Sequence, residues 1–245
     1  MNRELWKPKT FDKVEKYPCP KCFNGTLKGK QKISELTEGG KEMLSYGYPY
    51  GIDNVFCGIL KCSNSNCNEL ISVNGHLLSD IRTGYQNENG EYVEIELKQY
   101  QPKFFYPNLR MFKISKEIPK NIIHLIDQAF SLYFIDNNAC ANKIRTAIEQ
   151  ILDDLNAPRK KLTVKRKYSE FTNLHSRIEH FSKKKPKICK LMMALKIIGN
   201  QGSHTNETDD ESILDAFEIL ELLIEITYIK NHLRIESLAD SIIKK

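Results

Sequence analysis

The chain has 245 residues, of which 40% are hydrophobic and 28% are charged, and its formal net charge at neutral pH is +6. This composition is typical of a folded globular protein and excludes a largely disordered or low-complexity chain. The sequence has neither a run of about 18 apolar residues nor an apolar segment behind its charged N-terminus, so it predicts no membrane span and no secretory signal. We therefore expect a cytoplasmic protein, and the length suits two modules.

Four cysteines form two closely spaced pairs in the first third of the chain. Cys19 and Cys22 lie in "YPCPKC", and Cys62 and Cys67 lie in "LKCSNSNC". A reducing cytoplasm disfavours disulfides, whereas each short loop can hold one side of a tetrahedral zinc ion. Four thiolates complete the coordination shell and leave no open position for water. The sequence therefore predicts one structural zinc ion per chain, held by these four cysteines.

Two other residues could replace a zinc ligand. Cys57 lies five residues before Cys62, although its neighbours "VFCGIL" resemble a strand, and His76 follows the second cysteine pair. Strands are predicted at "NVFCGILKC", "ELISV" and the alternating "YVEIELK". We predict a zinc-ribbon domain over residues 1–112.

The hydrophobic period changes to that of helices after this domain. Pro119 suits the first turn of a helix. A second helix is expected to begin after the capping candidates Asn137 and Asn138 and to end before Pro158. The apolar positions of these two helices follow the i, i+3, i+4 pattern: Ile122, Leu125, Ile126, Ala129, Phe130 and Tyr133, then Ala141, Ile144, Ile148, Ile151, Leu152 and Leu155. Two helices joined by a short turn suggest an antiparallel hairpin.

A basic linker, "PRKKLTVKRK", precedes three further predicted helices. The first carries Phe171, Leu174, Ile178 and Phe181 on one face, and the second ends at Ile198. The last, "ESILDAFEILELLIEITYIKNHL", is apolar around most of its circumference, so we expect it at the centre of the bundle or in a dimer interface. The fold class predicted is α+β, with an all-α bundle over residues 113–245 that forms a homodimer.

Charge is distributed unevenly along the helical part. Twelve Lys and Arg residues lie between Arg159 and Lys190 against two acids, whereas eight acids and no basic residue lie between Glu207 and Glu225. A basic block can attract a phosphate backbone, or it can pair with acids of its own chain or be simply solvated. The candidate nucleic-acid-binding residues are Arg159, Lys160, Lys161, Lys165, Arg166 and Lys167.

The order of these motifs resembles a bacterial family, the domain of unknown function 4145 family. The resemblance rests on the CPxC and CxxxxC pairs, Tyr106–Pro107, "KIRTAIEQIL" and "LKIIGNQGSH". Its most specific parts are Arg145 and Glu149, and the G-N-x-x-x-H segment with Gly199, Asn200 and His204. The resemblance implies a HEPN-like helical domain. Many HEPN-like domains occur in toxin–antitoxin, abortive-infection and restriction systems, and some are dimeric, metal-independent ribonucleases.

In active HEPN ribonucleases an arginine, a polar residue and a histidine form a composite site that cleaves RNA through attack by the 2′-hydroxyl. Here the resemblance implies that His204 transfers a proton and that Asn200 positions a phosphate or the histidine. The cation that would stabilise the charged transition state is expected to be Lys196, the nearest one before the G-N pair. Lysine keeps the charge of arginine but lacks its planar fork. The predicted function is that of a bacterial defence or toxin-type protein that binds RNA and is a candidate ribonuclease.

A non-catalytic function is the alternative. Gly199 and Asn200 can end a helix, His204 can satisfy a carbonyl near the next helix, and Arg145 and Glu149 can form an ordinary i, i+4 ion pair. The helical module would then dimerise or bind a partner protein in a defence or restriction complex, and the zinc ribbon would provide a second contact.

Overall fold

A computed structural model shows an antiparallel sheet in the N-terminal part of the chain, followed by helices, which confirms the α+β class. The residues described are 1–12, 17–86, 89–90, 92–162, 167–171, 173–201, 208–229 and 231–243. The chain divides into a sheet unit, Asn2–Arg110, and a helical unit, Met111–Lys245 together with Met1. Within the described ranges no helix is both long and apolar enough to cross a membrane.

The sheet unit is a four-stranded antiparallel meander in which neighbours in sequence are neighbours in space. Its strands are β1 Leu27–Leu36, β2 Ile52–Cys62, β3 Leu70–Gln86 and β4 Tyr92–Tyr106, with helix α1 Glu38–Ser45 between β1 and β2 and a short 3-10 helix at Arg3–Leu5. The three predicted strand segments lie in β2, β3 and β4. The side chain of Thr37 accepts a hydrogen bond from the N–H of Gly40 and caps α1.

One face of this sheet is covered by the N-terminal segment of the chain. Residues at alternate positions of β2 and β3 are buried, as the two-residue period of a strand requires: Ile52, Phe56, Leu60, Ile71, Val73 and Leu77. Trp6 stacks on Tyr17 with ring centroids 4.8 Å apart, and Tyr17 meets the edge of Phe105 at 5.7 Å. This packing fixes the chain immediately before the first cysteine pair.

The helical unit contains six α-helices and a small hairpin among its described residues. The helices are α2 Lys120–Leu132, α3 Asn137–Asp154, α4 Leu174–Ser182, α5 Pro186–Gln201, α6 Asp210–Ile224 and α7 Asn231–Ile243, and the hairpin strands are β5 Lys160–Leu162 and β6 Tyr168–Glu170. The predicted basic linker is thus partly strand: Lys160 pairs with Glu170 and Leu162 with Tyr168. A linker was predicted because three-residue strands give no periodic signal.

The predicted cap of α3 is wrong by one residue. Asp136 caps this helix, since its carboxylate accepts a hydrogen bond from the N–H of Ala139 at 2.9 Å. Asn137 and Asn138 instead bind the backbone at the start of the α6 segment, where both contact Thr208 at 3.0 Å. Asp136 is also of a residue type that caps helices, although it was not among the predicted candidates, and the contacts of Asn137 and Asn138 with Thr208 leave the cap to Asp136.

The last predicted helix is not α-helical throughout its described residues. A π-helical turn at Glu225–Ile229 follows α6, and α7 begins at Asn231. The buried residues of α6 cover several sides of the helix: Ile213, Leu214, Ala216, Phe217, Leu220, Leu223 and Ile224. Its apolar circumference is therefore largely covered within its own unit, as expected for a central helix.

Candidate metal centre and polar cluster of the helical unit

The four predicted zinc ligands lie together. The sulfur atoms of Cys19 and Cys67 are 3.8 Å apart, and those of Cys22 and Cys62 are 3.7 Å apart. All four sulfurs lie within 4.8 Å of one another. A tetrahedron with metal–sulfur bonds of about 2.3 Å has edges of about 3.8 Å. These separations therefore fit one tetrahedral metal ion, and they are far too long for disulfide bonds of about 2.05 Å.

Both cysteine loops around this cluster are closed by a backbone hydrogen bond. The N–H of Cys19 donates to the carbonyl of Gly25 at 2.8 Å, and the N–H of Cys62 donates to that of Glu69 at 2.9 Å. The residue after the second cysteine of each pair has a left-handed backbone, with φ of 55° at Phe23 and 51° at Asn68. Each pair thus forms a closed loop that presents both sulfurs to one point.

Gly25 leaves room for the approach of the two loops. A β-carbon at this position would lie 2.6 Å from the sulfur of Cys62 and 2.9 Å from the backbone nitrogen of Asn64. Both distances are shorter than real contacts, so any other residue would push the loops apart. Lys21 and Glu69 connect the loops on the outside through an ion pair of 2.5 Å.

The thiols of the four cysteines differ in pKa because their surroundings differ. Backbone N–H donation, chiefly from Asn24, lowers the pKa of the Cys22 thiol to about 6. Burial raises the pKa of Cys62 to about 12 and also raises the pKa of Cys19. A cation must therefore displace protons from the two buried thiols when it binds, and four soft sulfur ligands favour a thiophilic metal.

The two alternative ligands lie outside this cluster. Cys57 is exposed on β2, where it is paired with Ile33 on one side and Asn74 on the other. His76 lies on β3 with its Nδ1 atom 3.6 Å from a carboxylate oxygen of Asp53. Neither belongs to the four-sulfur group.

In the helical unit, the G-N pair of α5 packs directly against α3. Asn200 accepts a hydrogen bond of 3.1 Å from the guanidinium of Arg145, whose Nε atom lies 3.7 Å from a carboxylate oxygen of Glu149. Gly199 is buried, and a β-carbon there would lie 3.0 Å from the β-carbon of Arg145 and 3.2 Å from the carbonyl of Ala141. The glycine brings the two helices close enough for Asn200 to bind Arg145.

The other two predicted catalytic residues are placed differently. Lys196 lies one turn before Asn200 on α5 and is half-buried, and within the described ranges no carboxylate pairs with its ammonium group. His204 lies outside the described residues. The residues that flank its segment are nevertheless held at α3: Asn200 through Arg145, and Thr208 through Asn137 and Asn138.

Part of the basic block is paired with acids of its own unit. Arg159 donates to Asp153 through Nε at 3.0 Å, and Arg177 donates to the same carboxylate at 2.6 Å. These two guanidinium groups, Arg159 first, lower the pKa of Asp153. Lys160 lies 3.9 Å from Glu170. Two of the six predicted nucleic-acid-binding residues, Arg159 and Lys160, are thus paired with carboxylates of their own unit.

The remaining members of this set differ in their surroundings. Lys161 places its ammonium 5.7 Å from the ring centre of Phe171, Lys167 is exposed, and Lys165 and Arg166 lie outside the described residues. Beside the block is a cavity of about 360 Å³ with both acidic and basic walls, lined by Glu149, Asp153, Arg159, Glu170, Phe171, Asn173, Leu174 and Arg177. Glu149 therefore faces both this cavity and Arg145.

The fold and these two clusters give a sheet unit with a four-cysteine cluster that fits a metal ion, and a helical unit with a polar Arg–Asn contact. Residues 127–245 match the family described as domain of unknown function DUF4145, and residues 7–105 match domain of unknown function DUF8608. Residues 127–245 thus form a DUF4145 domain, which confirms the predicted family for the part that contains Arg145, Glu149 and the G-N-x-x-x-H segment. The two cysteine pairs, on which the predicted resemblance also rested, lie in the DUF8608 match. Searches of curated proteins and of solved structures returned no significant match.

Proposed function

We propose that the helical unit binds RNA at Arg145 and Asn200 and cleaves it without a metal ion. The observation that carries this proposal is the 3.1 Å hydrogen bond between these side chains, because it holds a guanidinium beside the G-N pair. Arginine grips phosphate oxygens through a planar fork of donors. Arg145 uses one arm of this fork for Asn200 and is about one-third exposed, so the rest of the group can meet a phosphate.

This arrangement revises the choice of cation. Lys196 was the nearest basic residue in sequence, but Arg145 is hydrogen-bonded to the motif although it lies 55 positions away. We assign the phosphate contact to Arg145 and leave Lys196 a secondary electrostatic role. Asn200 then holds Arg145, and Glu149 restrains it from the other side.

The proposed reaction needs no additional reactant. The 2′-hydroxyl oxygen of the RNA attacks the neighbouring phosphorus, and the bond from phosphorus to the 5′-oxygen breaks. The 2′-hydroxyl proton leaves to a base, and the 5′-oxygen receives a proton, so the products are a 2′,3′-cyclic phosphate and a 5′-hydroxyl. His204 supplies proton transfer at neutral pH, and Arg145 stabilises the charge that develops on the phosphate oxygens.

We further propose that the ion of the four-cysteine site is zinc, at one per chain. Four thiolates at tetrahedral spacing are the preferred ligands of structural zinc, and they leave no position for a reacting water. The ion would therefore stabilise the sheet unit and take no part in cleavage.

The homodimer predicted for the helical unit remains part of this proposal. Leu238 and Ile242 lie four residues apart on α7 and are 54% and 64% exposed, and Ile243 is also exposed. Such a stripe is suited to packing against a second copy. Light scattering of the purified chain tests this, and a monomer for the wild type would remove the dimer from the proposal.

Cleavage is tested with single-stranded and structured RNA, with and without chelator. We expect cleavage that resists the chelator, that yields cyclic phosphate ends, and that is lost in Arg145→Ala and His204→Ala. Lys196→Ala should retain more activity than Arg145→Ala. The matched control is Lys190→Ala, which removes one exposed charge from the same helix.

Two outcomes would contradict the ribonuclease proposal. One is no cleavage of any RNA by the wild type, and the other is equal cleavage by the wild type and His204→Ala. RNA binding without cleavage would favour the alternative of a non-catalytic module in a defence or restriction complex. Loss of activity in Lys196→Ala alone would return the cation role to that residue.

A further inference from the structure

The described residues of the N-terminal segment leave one face of the sheet exposed, as the exposed side chains of Ile33, Phe104 and Tyr106 show. Side chains alternate along each strand, so the residues between the buried ones share this second face. Strand pairing places them in three adjacent rows, which we call the open face: Lys28, Lys61 and Leu70; Gln31, Ile59, Ser72 and Tyr106; Ile33, Cys57, Asn74 and Phe104. None of these residues is acidic.

Three lysines lie together at one end of the open face. Lys28 and Lys61 are direct cross-strand partners, which places their β-carbons about 5 Å apart. A register shift between Gly29 and Gln31 inserts Lys30 beside them. Within the described ranges, no carboxylate pairs with any of these three lysines. Like charges directly opposite one another destabilise a sheet, and a bound anion would remove that cost.

A cavity beside these lysines has the composition of an anion site. Its volume is about 430 Å³, and it is lined by Lys28, Gly29, Lys30, Lys61, Cys62, Ser63, Ser65 and Asn68. The wall thus offers ammonium, hydroxyl and amide groups and no carboxylate, and it also includes Cys62 of the four-cysteine cluster. Phosphate groups are the anions that lysine clusters of this kind bind in nucleic acids.

Two aromatic rings lie exposed on the same face. Phe104 is 54% exposed and Tyr106 is 77% exposed, in the two rows next to the lysines. Strand β4 lies two strands, or about 10 Å, from β2, and the rows of Tyr106 and Phe104 lie about 7 Å and about 13 Å along the strands from the row of Lys61. Flat rings beside a positive groove are the two elements that proteins use to bind single-stranded nucleic acid, because unpaired bases stack on the rings while the phosphates meet the charges.

We propose that the open face binds single-stranded nucleic acid, with phosphates at the three lysines and bases stacked on Phe104 and Tyr106. The choice of RNA over DNA rests on the proposed function, and the binding face itself does not. A duplex would bind less well, because its bases are already stacked on one another. The acids Glu35 and Asp53 lie beyond these rows and would repel phosphates. The bound nucleic-acid strand should therefore cross the end of the sheet that carries the four-cysteine cluster.

The experiment uses the full chain and 2′-O-methyl RNA of about 12 nucleotides, which cannot be cleaved and suits the length of such sites. Binding is followed by fluorescence anisotropy over a series of salt concentrations. The variants are Lys61→Gln and Phe104→Leu. Their matched controls are Lys98→Gln, a lysine paired with Glu96, and Tyr92→Leu, an exposed ring near the far end of β4.

The two variants should weaken binding in different ways. Lys61→Gln should lower the slope of log affinity against log salt by about 0.7, because one counterion fewer is released from a single strand. Phe104→Leu should weaken binding about fivefold or more without changing that slope, since stacking is not ionic. Lys61→Gln should also leave the apo protein at least as stable as the wild type, because a like-charge pair is relieved.

Three results would overturn the inference. In the first, both variants bind RNA as tightly as the control variants do. In the second, the protein binds a duplex more tightly than a single strand. In the third, Lys61→Gln loses its metal while its RNA affinity is unchanged. The last result would mean that the lysines serve only to neutralise the thiolates. If RNA binding depends on Lys61 but the protein cleaves no RNA, the open face is supported and the nuclease proposal is rejected. If the protein cleaves RNA but its RNA binding does not depend on Lys61, the nuclease proposal is supported and the open face is rejected. Equal affinity for single-stranded DNA would keep the face and remove the preference for RNA.

Discussion

Asp153 joins three elements of the helical unit, and its replacement by asparagine should destabilise that unit measurably. The carboxylate at the end of α3 accepts hydrogen bonds from Arg159, next to β5, and from Arg177 of α4. The side chain of Arg177 is only 11% exposed, whereas that of Arg159 is 73% exposed. Most of the stabilisation should therefore come from Arg177.

The magnitude follows from these exposures. A hydrogen bond to a charged, largely buried partner contributes about 1.5–3 kcal/mol, and the exposed pair with Arg159 adds well under about 1 kcal/mol. Asparagine can still accept one hydrogen bond, so we expect Asp153→Asn to cost about 2 kcal/mol at neutral pH. Urea unfolding followed by far-UV circular dichroism measures this, with Glu179→Gln on the exposed face of α4 as the control.

The pH dependence gives the refuting result. The pKa of Asp153 is lowered in the folded protein, so its contribution is fully present above the unfolded value of about 3.9 and is lost as the pH falls through the lowered pKa. The difference between wild type and Asp153→Asn should thus be constant near neutral pH and shrink in acid. A difference that is negligible at neutral pH, or that persists undiminished in strong acid, would refute this reasoning.

Removal of the metal by a chelator should shift the fluorescence emission of Trp6, the single tryptophan, to longer wavelength. Its buried ring packs on Tyr17, in the segment that leads to the first cysteine pair. Unchanged emission after complete metal loss would contradict this prediction. Gly25→Ala should abolish metal binding in elemental analysis, whereas Gly39→Ala, whose added methyl meets nothing closer than 3.8 Å, should not. Asn137→Ala should destabilise the protein by about 1–2 kcal/mol, since it loses its bonds to the α6 segment. The exposed Asn142→Ala is its control, and equal melting temperatures would reject the predicted anchor.

The cysteine spacing was sufficient to predict that the four cysteines lie together. Two residues in C-x2-C and four in C-x4-C allow only short loops, and such loops present both sulfurs to one point whatever fold surrounds them. The same locality explains why the period of the apolar residues predicted β2 and α3. It also explains the errors: Asp136, Asn137 and Asn138 are equally good caps, and a contact with Thr208 decides among them.

Sequence by itself determined the local features of this protein: the four-cysteine cluster, the change from strand to helix, and the family of the helical unit through Arg145, Glu149 and the G-N pair. Tertiary structure alone decided which distant side chains meet. Arg145 donates a hydrogen bond to Asn200 because Gly199 lets α5 approach α3. Asp153 accepts hydrogen bonds from both Arg159 and Arg177. Such contacts depend on helix crossing and strand register, which are set by packing of the whole unit and leave no periodic trace in the chain.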